Sequence, residues 1–326
     1  MIRKNKIIIL IGIVIIIGVS LIFYNVQNKS SKSPKISISE EEREFGKIKE
    51  EKIPLTIIDD TGAVVTIPQE PQRIISIAPS NTEILFALGL EDKIVGITNY
   101  CNFPEETKNI EKIGETFPLN LEKIVSLEPD LILAYAGQLK EIPRLRDLGL
   151  KVIVIEPLSL KETLKSIQMV ATVCGIPEKG NTLVENLSQR VDKIKTEVSK
   201  IEITKRPKVF IGGIYETIWT PGEGTLFNEL ISLAGGINIA AGFSGWTKIS
   251  PEFIVKEDPD IIIIPIGAMN PGDELKIKEN IYQRPGWSNL SAVKTQKIFI
   301  VNEDLFFRAG PRSVDGLERL YKIFYE

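Results

Sequence analysis

The chain of 326 residues contains no histidine. That absence removes Ser-His-Asp catalysis, imidazole-ligated zinc and imidazole-ligated haem in one step. Cysteine is scarce as well. Cys101 and Cys174 are the only two, too few for a cysteine-only zinc or iron–sulfur site. Both fall in the first half of the chain, so a disulfide between them and two separate buried thiols are equally open. There is no excess of positive charge: the net charge is −3, which argues against a general nucleic-acid binder. Phosphate-cradling motifs are missing too. Gly212-Gly213 and Gly222-Glu-Gly224 make neither GxGxxG nor a P-loop with its Lys-Ser/Thr, and they read as tight turns.

What is present suffices for one or two ordinary cores: 43% of residues are hydrophobic and 25% charged. From Glu178 to Ile201, Val184, Leu187, Val191, Ile194, Val198 and Ile201 recur at alternating spacings of three and four. That period keeps one apolar stripe on one side of a helix, over 178–204 and roughly 36 Å long up to Ile201. Asn181 is the expected cap, and Pro207 closes the region. A solvated helix or short coiled coil fits the same pattern, but the flanking sequence points to a bridge between two related halves.

The relation between the halves is explicit. Leu121 to Leu133 overlies Pro251 to Ile263 at a constant offset of 130 residues, as from Glu122 to Glu252. Ile124/Ile254, Val125/Val255, Pro129/Pro259, Asp130/Asp260 and Ile132/Ile262 are identical pairs. Each copy reads as a short helix, a Pro-Asp corner and an apolar strand buried on both faces. Upstream, Thr82–Gly89 echoes Asn228–Gly235; downstream, Lys151–Ile155 echoes Lys297–Val301. The organisation is therefore an amino-terminal lobe (53–177), a bridging helix (178–204) and a carboxy-terminal lobe (205–326).

Ahead of the lobes, Arg3, Lys4 and Lys6 precede an uncharged apolar run from Ile7 to Tyr24. Residues 1–24 read as an uncleaved signal anchor with its amino terminus in the cytoplasm. Gly18-Val-Ser20 is a weak cleavage candidate inside the run, and no cysteine follows for a lipid anchor. Residues 25–52 are polar and aperiodic, a flexible tether. Leu55–Ile58 and Val64–Ile67 then flank Asp59-Asp-Thr-Gly62 as a hairpin. Ser80 and Glu83 have capping-box spacing, so Glu83 is expected in a first helical turn, where the dipole favours a carboxylate. The same reading covers Glu229.

The chain resembles the substrate-binding proteins of ABC importers for vitamin B12, ferric siderophores or haem, over about Leu55 to Glu326. The resemblance is carried by Arg73-Ile-Ile-Ser-Ile-Ala-Pro-Ser-Asn-Thr-Glu83, Thr98-Asn-Tyr-Cys-Asn-Phe-Pro104 and Glu128-Pro-Asp130. Pro285-Gly-Trp287, Ala292-Val-Lys294, Phe307-Arg-Ala-Gly-Pro-Arg312 and Gly316-Leu-Glu318 follow in order. It implies an α/β fold of two Rossmann-like lobes joined by a single long helix, the helical-backbone (class III) periplasmic-binding-protein fold. It also implies an extracytoplasmic receptor tethered to the cytoplasmic membrane, with a small-molecule ligand held between the lobes. Its partners would be an ABC permease dimer with its ATPase subunits, with no cofactor, no metal of its own and no catalysis.

Loops leaving the carboxyl ends of the strands should face the cleft. They carry Tyr100, Phe117, Tyr135, Tyr215, Trp219, Trp246, Phe306 and Phe307, with Asp304 and Arg308 as a polar pair. So many aromatics suggest a broad, flat ligand, although core packing explains any one of them equally well. By resemblance, the positions of Tyr100, Trp246, Asp304 and Arg308 line a corrin site; Tyr135 stands where those receptors carry tryptophan, and Thr116-Phe117 departs similarly. A ferric catecholate would need several cations, and a haem would have only tyrosine or methionine for its iron. A corrinoid ranks first, ferric siderophore second, haem third. Outside this class stand a tethered enzyme using carboxylates such as Glu303 and Asp304, and a sensor ectodomain. The resemblance also implies that Glu83 and Glu229, one per lobe, meet arginines of the permease.

Overall fold

Strict alternation along short apolar strands sets the architecture. The computed structural model describes residues 54–138, 140–213, 217–267 and 271–326. The expected anchor (1–24), the tether (25–52) and Tyr215 lie outside the described residues. The described part begins with an antiparallel hairpin of β1 (Leu55–Ile58) and β2 (Val64–Ile67). The first lobe follows as β3 (Ile74–Ser76), α1 (Pro79–Ala87), β4 (Ile94–Ile97), α2 (Leu121–Ser126), β5 (Leu131–Ala134), α3 (Ile142–Asp147), β6 (Val152–Val154) and α4 (Leu160–Val173). Helix α5 (Pro177–Ser199) is the bridge. The second lobe contains β7 (Lys208–Ile211), β8 (Ile218–Pro221), α6 (Leu226–Leu233), β9 (Ile237–Asn238), β10 (Trp246–Ile249), α7 (Pro251–Glu257) and β11 (Ile261–Ile266). It closes with α8 (Glu274–Gln283), α9 (Ser291–Lys294), β12 (Ile298–Asn302), α10 (Asp304–Phe307) and α11 (Ser313–Tyr325).

Each lobe holds one all-parallel sheet, ordered β4-β3-β5-β6 in the first and β9-β7-β11-β12 in the second. The two orders are the same once β3 is matched to β7. The repeat holds at the level of single bonds. Asn120 caps α2 by accepting from the Lys123 N–H, and Ser250 caps α7 by accepting from Phe253. Glu128 and Asp258, 130 residues apart, both take left-handed backbone with φ of 45° and 47°. The Asp130 carboxylate accepts the Gln72 and Arg73 N–H groups at 2.7 and 3.0 Å, and Asp260 accepts that of Lys208 at 2.8 Å. In each lobe the corner aspartate thereby pins the start of the neighbouring strand, at the two residues before β3 and at the first residue of β7, which is why Pro-Asp precedes both central strands.

Alternation divides the core into three. Leu131, Leu133 and Ile153 of the first sheet, and Val209, Ile211, Ile261 and Ile263 of the second, enter one cluster that runs through Leu187, Val191, Ile194 and Val198 of α5. The opposite faces close separate clusters, around Ile75, Ile132 and Val154 in one lobe and Phe210, Ile262 and Trp287 in the other. Helix α5 packs on α4 of the first lobe and on α6 and α11 of the second. Its four buried residues are worth about 1.5–3 kcal/mol each. That outweighs the exposed ion pairs along the helix, worth about 0–1 kcal/mol apiece. Arg190 adds a fork to Asp315 and Glu318 of α11 at 2.6–2.9 Å. Contact with α4 depends on Gly180: a Cβ there would stand 2.5 Å from that of Ala171.

Two expected helix starts are corrected, and of the two readings open for the cysteines one holds. The bridge starts at Pro177, with Ile176 as an N-cap that makes no side-chain bond; Asn181 lies inside the helix, and the helix ends at Ser199. Proline at the first helical position has a preset φ and no N–H to satisfy, so a side-chain cap is dispensable. The same holds for α1, where Pro79 leads and the Ser80–Glu83 capping box does not form. Glu83 is not in the first turn, so the dipole does not account for it. The cysteines are separate buried thiols: Cys101 lies against the Thr82 and Thr98 hydroxyls, and burial pushes Cys174 up to about 12.

The hairpin turn is an anchoring device. The buried Asp59 carboxylate accepts from Arg146 at 2.7 Å and from the N–H groups of Thr61, Ala63 and Val154, which ties the turn to β6. Burial pushes its pKa up, but the Thr61 hydroxyl and these N–H donors prevail and hold it below the ordinary 3.8. A depressed folded pKa gives stability that is complete above 3.8 and fades as pH falls through the native value. Asp59→Ala is expected to cost about 1–3 kcal/mol at neutral pH, since its buried donors lose their acceptor. The variant should also lose part of the acid-induced decline; denaturant melts in the acid range that match wild type in slope would refute this. A helix clamped into both lobes resists hinge opening. Ligand binding should therefore close the lobes by only a few degrees, and solution scattering that shows a large compaction would contradict it.

Candidate functional site

The site lies where both sheets end. Tyr100 and Phe117 follow β4, Tyr135 follows β5, Trp219 and Trp246 belong to the antiparallel β8–β10 pair after β7, and α10 follows β12. Between the lobes sits a cluster of four charged side chains. Glu83 of α1 is almost fully buried and accepts from Arg312 through Nε at 2.8 Å and Nη2 at 2.6 Å, and from Arg308 at 3.1 Å. Arg308 also pairs with Asp304 at 2.8 Å and donates to the Asn102 side chain at 2.8 Å and the Tyr100 carbonyl at 3.4 Å. The Arg312 guanidinium lies 3.8 Å from the Phe103 ring centroid. Burial alone would lower the Arg312 pKa, but Glu83 and Asp304 raise it instead. Two guanidiniums and two carboxylates compensate each other, which makes burial tolerable; removing one member would strand a buried charge.

This clasp corrects the expectation of Glu83 as a rim charge, because its carboxylate is spent on two arginines of the other lobe. Glu229, its counterpart in α6, is half-buried and also crosses between lobes: it accepts the Leu160 N–H, at the start of α4, at 2.6 Å. The repeat-related carboxylates that do face solvent are Glu122 and Glu252, each in the first turn of its helix. The Ser250 hydroxyl holds the Glu252 carboxyl below the usual range. The sequence showed this pair as identical residues, but identity alone does not separate an exposed helix start from a buried one.

The aromatic residues separate into two groups and one exception. In the first lobe Phe117 is exposed and meets Tyr135 edge-on with ring centroids 6.4 Å apart. Tyr100 is exposed, and its hydroxyl lies against Glu115, which pushes the phenol pKa up; burial does the same for Tyr135. In the second lobe Trp246 meets Phe307 edge-on at 5.3 Å, while Trp219 carries the Lys248 ammonium 5.1 Å above its ring. Trp219 and Trp246 are each nearly half exposed. Phe306 is the exception: it is buried and stacks on Phe227 at 4.7 Å, so it is core rather than cleft surface. Both Phe306 and Phe307 touch Phe227, with ring centroids at 4.7 and 5.5 Å, but only Phe307 is partly exposed and reaches Trp246, and sequence spacing offers no way to choose between them. Asn102, Phe103 and Lys248 were not predicted; the first two lie within the Thr98–Pro104 motif. A concavity of about 660 Å³ opens beside the clasp, lined by Asn102, Ile266, Gly272 and Asp304 among others.

Known proteins share this fold. Residues 74–305 match the family model described as periplasmic binding protein. The uncharacterized ABC transporter substrate-binding lipoprotein YvrC of Bacillus subtilis is 36% identical over 86% of this chain and 88% of its own length. A vitamin B12-binding protein of Photorhabdus laumondii is 30% identical over 77% of this chain and 86% of its own. Among solved structures, a possible iron-binding (periplasmic solute-binding) protein of Staphylococcus epidermidis superposes with a TM-score of 0.70 at 32% identity, covering 79% of this chain and all of that one. With the family match over most of the chain, the sequence identity and the shared fold in agreement, the chain belongs to the periplasmic binding protein family.

Proposed function

We propose that this protein is the extracytoplasmic receptor of an ABC importer, capturing a corrinoid between its lobes and delivering it to the permease. The observation that carries the reading is the cleft surface: aromatic faces from both lobes, beside arginines already neutralised by Glu83 and Asp304. Flat faces suit a macrocycle. A ferric catecholate would have to compete with two carboxylates for Arg308 and Arg312, which weakens the siderophore reading, although one structural relative is described as possibly iron-binding. Haem ligation by tyrosine favours a phenolate, and the surroundings of both Tyr100 and Tyr135 oppose deprotonation. The vitamin B12-binding relatives point the same way. The Ile7–Tyr24 run would tether the receptor, since neither cysteine precedes the folded lobes.

Purified protein from about residue 50 onward, titrated with cobalamin, should quench tryptophan fluorescence. Trp246→Ala should weaken that binding by about 1–3 kcal/mol without lowering the melting temperature appreciably; unchanged affinity in a folded variant would move the site elsewhere. Delivery requires docking on a two-fold permease, and Glu122 and Glu252 supply matching exposed charges from matching helices. Rim charges of this kind set orientation and on-rate. Glu122→Arg with Glu252→Arg should keep ligand affinity and melting temperature while abolishing stimulated ATPase activity in vesicles. Normal stimulation by the double variant would sink the assignment.

A further inference from the structure

The antiparallel β8–β10 pair presents one face to solvent and the other to the protein. Ile218 and Thr220 are buried, whereas Trp219, Trp246 and Lys248 are exposed. Register places Trp219 directly across from Lys248, with Trp246 two residues away on the same side. Neighbours in this pattern share one face of an antiparallel pair. Trp246 continues the surface to Phe307, the residue before Arg308 of the clasp. The Lys248 ammonium therefore stands on an aromatic platform contiguous with the cleft, 5.1 Å from the Trp219 ring. Among the described residues no carboxylate pairs with it. Arg308 and Arg312, by contrast, are both compensated.

We infer that Lys248 is an anion subsite of the cargo cleft, recognising the single phosphodiester in the nucleotide loop of a complete corrinoid. The inference rests on the corrinoid reading and adds a discrimination to it. Corrin amide side chains are neutral, so a complete corrinoid offers one localised negative charge at the edge of a flat body. Haem offers two propionates and a ferric catecholate several charges; one lysine over the Trp219 indole matches a single charge best. An ammonium beside an indole face is partly desolvated, which strengthens its pairing with a phosphodiester oxygen relative to open water. A corrinoid that lacks the loop would keep the aromatic contacts and lose the charged one.

The test is calorimetric titration of wild type, Lys248→Met and Lys248→Arg with cobalamin and with cobinamide, which has no nucleotide loop. Methionine keeps an apolar stem over Trp219 and removes only the charge. Wild type should prefer cobalamin. Lys248→Met should lose about tenfold for cobalamin and nothing for cobinamide, while Lys248→Arg stays near wild type. Equal losses for both corrinoids, or no loss for either, would overturn the inference and leave the corrinoid reading standing. Failure of wild type to bind either corrinoid, with haem or a ferric catecholate bound instead, would overturn both.

Discussion

The structure depends on one continuous apolar cluster that belongs to neither lobe alone. Each parallel sheet gives one face to its own core and the other to this shared one, and α5 fills the space between them. Separating the lobes would expose not only the helix stripe but the inner faces of both sheets. The cost of opening is therefore hydrophobic and large, and the polar contacts of Arg190 refine a geometry that burial has already imposed. The close approach at Gly180 shows how little slack remains. A cleft held this way is shaped before its ligand arrives.

The clasp of Glu83, Arg308, Arg312 and Asp304 adds a chemical consequence to the mechanical one. Buried charges in a low-dielectric site must be matched, and here they match one another. The guanidiniums are thus compensated within the protein, and what the cleft-facing loops leave exposed is chiefly ring surface. A receptor for a multiply charged chelate would need those cations free. The same residues that join the lobes consequently bias the site toward a ligand with a largely neutral, flat body.

Most of the fold was legible because its determinants are periodic. The stripe of α5, the apolar strands and the 130-residue repeat are all patterns in one dimension, and the Pro-Asp corners recur with their hydrogen bonds intact. The helix starts were misread where proline replaced a side-chain cap, since Ser80–Glu83 and Asn181 satisfy the local rules without being used. The site was legible as a set of aromatics but not as an arrangement. Phe306 and Phe307 are neighbours that both touch Phe227 and differ only in how deeply each is buried, and Glu83 finds its partners 225 and 229 residues away. Contacts across that separation have no signature in spacing.

The repeat itself shows which constraints act on each position. Glu83 and Glu229 occupy equivalent places, yet one binds two arginines and the other a helix terminus. Nothing inside the molecule requires the two lobes to meet symmetrically, so each carboxylate has taken whatever partner the opposite lobe provides. Glu122 and Glu252 behave differently: both remain exposed, in first turns capped by a polar side chain, and both helices are followed by a left-handed acidic residue, Glu128 or Asp258, and the same Pro-Asp corner. The helix dipole favours a carboxylate in a first turn by about 0.3–1 kcal/mol, which accounts for either glutamate singly but acts on each helix by itself. Docking on a two-fold partner, as proposed, would use both at once. The inward pair is engaged by contacts that differ between the lobes, whereas the exposed pair keeps the same charge free at the same position of the repeat.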